Sequence, residues 1–203
     1  MRILPRLLLA IGLTVIVSLG AASRAIGQTT KIDLRTKAGV AAVKGEWRYS
    51  NVKIVEVPGK NKDGSANTTY NYEPKAYPPD FDDSLWELVD PTTLGQARST
   101  GQICFCWYRI KVTIPADCTA KTVEFVTTVD DYGEVWVDGK LPRRGGQSGG
   151  SVVAGFNAPN RVALADPKPG KTYSIAVFGI NGPISATPPN WIFLGPTYLE
   201  LKD

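Results

Sequence analysis

The segment 103–115 constrains the fold more than any other stretch of the chain. Cys104, Cys106, Tyr108, Ile110, Val112 and Ile114 alternate there with Phe105, Trp107, Arg109, Lys111 and Thr113. Successive side chains of a strand point to opposite faces, so this spacing predicts one long strand with an almost wholly apolar face turned to a core. The other face carries two aromatics before it turns polar. Phe105 and Trp107 must therefore pack beneath a covering segment or face a ligand.

Further strands are predicted at 47–57, 121–129, 134–137, 161–165, 172–180 and 191–201. In the third of these Val135 and Val137 point inward, leaving Glu134, Trp136 and Asp138 outward. Asp138-Gly139 before Lys140 is a tight-turn signal, because glycine accepts the positive φ such turns require. Residues 58–79 read as a long surface loop, and 143–150 as a flexible glycine-rich one. One weak helical candidate lies at 34–43. Many short strands with turn chemistry between them predict an all-β sandwich or barrel.

The chain opens on an export signal: Arg2 and Arg6 precede an uncharged apolar run from 7 to 22, followed by the small-residue stretch 21–27. The run is short for a membrane span, which needs roughly 17–25 apolar residues. The expected organisation is a signal peptide over 1–27, an N-terminal linker or short helix over 28–44 and one domain over 45–203. The product is expected to be secreted or periplasmic, with no stable membrane span after cleavage.

Cleavage removes Arg2, Arg6 and Arg24 and no acid, so 23 basic against 19 acidic residues become 20 against 19. A nearly neutral protein lacks the basic footprint that displaces counterions from phosphates, which argues against a nucleic-acid partner. Histidine is absent, removing the residue most often used in general acid–base catalysis and as a metal ligand. Cys104 and Cys106 share a strand face and make a poor disulfide with each other. Cys118 could pair with either, or all three thiols could remain free.

Four segments in order carry a resemblance. They are Phe81-Asp82-Asp83-Ser84-Leu85-Trp86, Trp107-Tyr108-Arg109-Ile110 through Ile114-Pro115, Val129-Asp130 through Val135-Trp136-Val137-Asp138-Gly139-Lys140, and the glycine-rich loop. Together they resemble the galactose-binding-like jelly roll, the accessory domain at the N-terminus of family-two glycoside hydrolases such as β-galactosidases and β-glucuronidases. They are also similar to a domain that accompanies gluconolactonase-type propeller enzymes in secreted bacterial proteins. The resemblance implies a jelly-roll β-sandwich and a non-catalytic, carbohydrate-binding-like accessory role. A propeller of several blades of about 40–50 residues, or a catalytic barrel of roughly 250, does not fit in the chain. Without the resemblance, Phe81 and Trp86 read as plugs at one end of the sandwich, with Asp82, Asp83 and Ser84 capping a turn between them.

A sugar needs a flat aromatic beside polar groups that orient its hydroxyls. The candidates are Trp107, Trp136, Trp191, Tyr70, Tyr72, Asn181 and Asn190, with Arg143 in the glycine-rich loop; each has a competing reading as core or loop packing. No cofactor is expected apart from a structural calcium at Asp130, Asp131 and Glu134, where clustered hard oxygens suit that ion. The competing reading there is a solvated connection whose carboxylates bond local amides. Adjacent Asp130 and Asp131 are a poor acid and nucleophile pair for glycoside cleavage, so a hydrolase is the weakest reading. The partner is either a carbohydrate or a separate sugar-processing enzyme docked by the same domain.

Overall fold

The computed structural model describes residues 29–101, 103–142, 156–182 and 189–203. The long alternating segment is strand β7 (Cys104–Thr113), at the centre of a five-stranded antiparallel sheet. Across that sheet run β5 (Glu87–Val89), β2 (Trp47–Asn51), β7, β11 (Thr172–Asn181) and β9 (Tyr132–Val137). A four-stranded sheet of β1 (Thr29–Asp33), β13 (Leu194–Lys202), β8 (Thr122–Val129) and β10 (Pro159–Ala163) packs on it. Cys104, Cys106, Tyr108, Ile110, Val112 and Ile114 all fall in the buried core, with Tyr173, Ile175 and Val177 of β11 and Phe125, Leu199 and Leu201 of the second sheet. The chain is an all-β sandwich. Among the described residues no helix is long and apolar enough to cross a membrane, and the expected signal peptide lies outside them.

Within the segment expected as a linker or short helix over 28–44, the described residues form a strand and a short helix. Residues 29–33 form β1, paired antiparallel with β13 from Thr29↔Lys202 to Asp33↔Tyr198. The helix α1 (Lys37–Ala42) starts on Thr36, whose hydroxyl accepts from the Gly39 N–H at 2.9 Å. The Trp47 indole N–H donates to Leu34 O at 2.9 Å, tying this start to the core.

Three expected boundaries move. The strand at 47–57 is two: β2 ends at Asn51, the Val52 N–H turns to Phe105 O, and β3 (Lys53–Lys60) leaves the sheet. The expected loop at 58–79 is largely a hairpin, β3 pairing with β4 (Ala66–Glu73) from Lys53↔Glu73 to Lys60↔Ala66. Its turn is closed by Asp63, whose carboxylate accepts from the Ser65 N–H and hydroxyl, and by Gly64 at φ +87°. The strand at 191–201 splits into β12 (Asn190–Ile192), paired with β6 (Arg98–Gly101), and β13. The turn expected at 138–139 is present, with positive φ at Asp138 and Gly139 and a bridge from Val137 to Lys140.

Residues 74–86 form a strap across the outer face of the five-stranded sheet. Beneath it lie the side chains on the non-core face of β7 and β11, including Trp107, Arg109, Ala176 and Phe178, all buried. This strap decides what the outward aromatics do.

Candidate functional site

Trp107 is not open to a ligand. It is 0 % exposed, its indole N–H donates to Pro74 O at 2.8 Å, and Phe178 packs against it at 4.7 Å between ring centroids. Trp136 is half-buried and stacks on Tyr77 of the strap at 4.4 Å and 21°, with its N–H turned to the Glu134 carboxylate at 3.2 Å. Tyr72 lies against Phe178 and Trp107, with the Lys75 ammonium over its ring at 3.9 Å. These three expected binding aromatics are the packing between sheet and strap, because Asp83, Phe81 and the carbonyls of Ala76 and Pro78 converge on Arg109 and hold the strap down.

The remaining candidates are at two other places. Tyr70 stands on the hairpin, 70 % exposed. Asn181, Asn190 and Trp191 meet at one end of the sandwich: Asn181 Nδ2 donates to Trp191 O at 2.6 Å, and Asn190 Nδ2 donates to Gly182 O at 3.1 Å. Both amides are buried, so they fix the backbone there and leave Trp191, 44 % exposed, as the group open to solvent. Arg143 lies outside the described residues.

Asp130 and Asp131 join this same end. The Asp130 N–H donates to Phe193 O, the Asp131 N–H to Ile180 O, and Asp131 O accepts from the Asn157 N–H at 2.9 Å. Their peptide bond is cis. Burial, and after it the neighbouring Asp131 carboxyl, pushes the Asp130 carboxyl up to about 6, against a smaller opposing pull from Asn157. Phe156, 63 % exposed, meets Tyr132 edge-on at 6.0 Å. Sequence reasoning passed over Phe156, Asn157 and Tyr132; a single aromatic after a glycine-rich stretch gives no periodic signal.

The chemistry open to this end is limited. Two carboxyls on adjacent residues are a poor pair to stand on opposite sides of a scissile glycosidic bond with about 5–10 Å between them. Glu134 is turned to the Trp136 N–H, and among the described residues no three Cys, Asp or Glu side chains are grouped to hold a metal. Cys104, Cys106 and Cys118 are free thiols, the first two buried; burial pushes the Cys106 thiol well above its ordinary range. What remains is a pair of adjacent carboxyls with two exposed aromatic rings on the segments their backbone bonds to. No protein-family model matches the chain, and no curated protein matches it.

Proposed function

We propose that the chain is a secreted, non-catalytic carbohydrate-binding-like module with the jelly-roll topology of galactose-binding-like domains, and that its saccharide binds at the end of the sandwich formed by Asp130, Asp131, Phe156 and Trp191. One observation carries the reading: the Asp130–Asp131 backbone is hydrogen-bonded to Phe193, Ile180 and Asn157, on the segments that carry the exposed Trp191, its partner Asn181 and the exposed Phe156. Exposed aromatics offer a face to the apolar side of a sugar ring, and carboxyls accept from its hydroxyls. Asn181 and Asn190 support the site as buried pins of its backbone.

Calorimetric titration with a panel of neutral mono- and oligosaccharides, with and without calcium, tests this. At least one saccharide should bind, and Trp191→Ala should weaken it about tenfold or more with the melting temperature unchanged. Absence of heat with every sugar at about 10 mM would overturn the reading.

A second reading, docking of a separate sugar-processing enzyme, is favoured by one feature. A cleft of about 460 Å³ lies between α1 and β5, lined by Val40, Trp47, Leu88, Val89 and Pro91 together with the acidic Glu46 and Asp90, with Leu88 57 % exposed. Exposed apolar surface of this kind marks interaction sites. Co-purification with such an enzyme that is lost in Leu88→Asp would favour it over sugar binding.

A further inference from the structure

Among the described residues the β3–β4 hairpin pairs with no other strand, and its two long edges differ in chemistry. β3 carries Lys53, Glu56 and Lys60, with Pro58 among them. Charges and proline are what edge strands use to resist pairing with another chain. β4 has neither: residues 66–72 are Ala, Asn, Thr, Thr, Tyr, Asn and Tyr, and charge returns only at Glu73.

Among the described residues the outer edge of β4 is also open to pairing. Residues of an antiparallel pair alternate between turning their N–H and C=O to the partner strand and turning them away. The Tyr72 N–H goes to Asn71 Oδ1 at 2.9 Å, which puts it on the outer edge. The N–H groups of Tyr70 and Thr68, two and four residues earlier, share that edge. Tyr72 is anchored on Phe178 and Trp107, so the base of the hairpin is fixed to the sandwich, whereas Ala66, Asn67, Thr68 and Tyr70 are exposed.

We propose that the outer edge of β4 is a homodimer interface, at which two copies of this chain join β4 to β4 antiparallel about a two-fold axis and make one four-stranded sheet from two hairpins. A two-fold contact requires a patch that complements itself. Antiparallel self-pairing of β4 sets uncharged Asn, Thr and Tyr side chains against one another. The same operation on β3, centred on Glu56, sets Glu56 opposite Glu56 of the second copy and loses a ladder bond at Pro58. A strand edge is a small interface, well under the roughly 1,200–2,000 Å² of a stable one, so the dimer is weak, dissociating at about 10–100 μM. A dimer carries two copies of any binding site, which raises avidity for a repeating ligand.

Sedimentation equilibrium of the purified protein from about 5 μM to 1 mM, with reductant present so that Cys118 cannot cross-link, is the test. The wild type should follow a monomer–dimer equilibrium. Thr68→Lys and Thr68→Glu should each weaken it about tenfold or more with unchanged melting temperature, and an equimolar mixture of the two should dimerise at least as well as the wild type. Amide exchange at Thr68 and Tyr70 should slow as concentration rises. A monomer throughout the range, a dimer indifferent to both substitutions, or a mixture that stays monomeric would each overturn the proposal. Failure here leaves the sugar titration untouched, since that reads a different end of the molecule.

Discussion

The Arg109 guanidinium donates through Nε to Asp83 Oδ2 at 2.7 Å, joining the middle of β7 to the strap over the outer sheet face. Arg109 is 1 % exposed and also donates to Ala76 O, Pro78 O at 3.1 Å and Ser174 Oγ at 3.5 Å. A buried guanidinium is tolerated only when its donors are met. Asp83→Ala removes the one countercharge, and the cost should be roughly 2–4 kcal/mol, the lower part of the range for breaking a buried pair because the Asp83 carboxylate keeps some solvent contact. Urea unfolding followed by tryptophan fluorescence measures it. A change below about 0.5 kcal/mol would mean that the strap does not depend on the pair.

The sandwich was legible in the sequence wherever one face of a strand alternates cleanly. The 104–114 pattern identifies core residues because both the period and the residue types agree. The hairpin was not legible: in β3 Pro58 and Gly59 read as breakers, and in β4 Asn67 and Asn71 interrupt the Thr and Tyr residues that favour strands. The buried role of Trp107 was half legible. Its face had to be covered or bound, and the choice depends on a contact between Arg109 and Asp83, 26 residues apart, that no local pattern encodes. The Asp82-Asp83-Ser84 stretch reads as a turn cap, and Asp82 does accept from the Ser84 N–H at 3.0 Å. Asp83 has the longer reach.

Two tryptophans should separate packing from binding. Trp107→Ala empties a buried site between Tyr72, Phe178 and Pro74 and should cost about 3–5 kcal/mol. Trp191→Ala trims a half-exposed side chain and should change stability by no more than about 1 kcal/mol. Chemical denaturation of both variants decides the matter; equal losses would contradict the assignment of Trp191 to the surface.

Gly39 is required by space. A Cβ there would lie 1.8 Å from Asp33 O and 2.7 Å from its carbonyl carbon, and both belong to the backbone at the end of β1. A backbone neighbour has no rotamer to escape into, so Gly39→Ala should displace α1 and cost about 2–3 kcal/mol. Calorimetric unfolding should register the loss. A melting temperature within about 1 °C of wild type would show that α1 can move freely.

The carboxyl pair makes a pH prediction whose sign is fixed by the direction of the shift. Asp130 titrates at about 6 in the folded protein against an ordinary 3.8, because burial and Asp131 disfavour its charge. The folded state therefore holds more protons than the unfolded one between these values, and stability falls as pH rises through that window. The penalty is complete above pH 6 and absent below 3.8. Asp130→Asn removes it and leaves Asp131 without a like charge beside it. The variant should be more stable than wild type at neutral pH by on the order of 1 kcal/mol, allowing for solvent screening of a partly exposed group. Glu200 works in another window and with the opposite sign. Arg161 and Lys202 hold its carboxyl down at about 2, so its contribution is full above its ordinary 4.5 and is lost as pH falls through 2. That loss is common to both proteins and cancels in the difference. Thermal unfolding of the two proteins across this pH range should therefore give curves that converge as pH falls towards 4 and separate by 6; curves that stay parallel would mean that the Asp130 carboxyl is not held above its ordinary range by burial and Asp131.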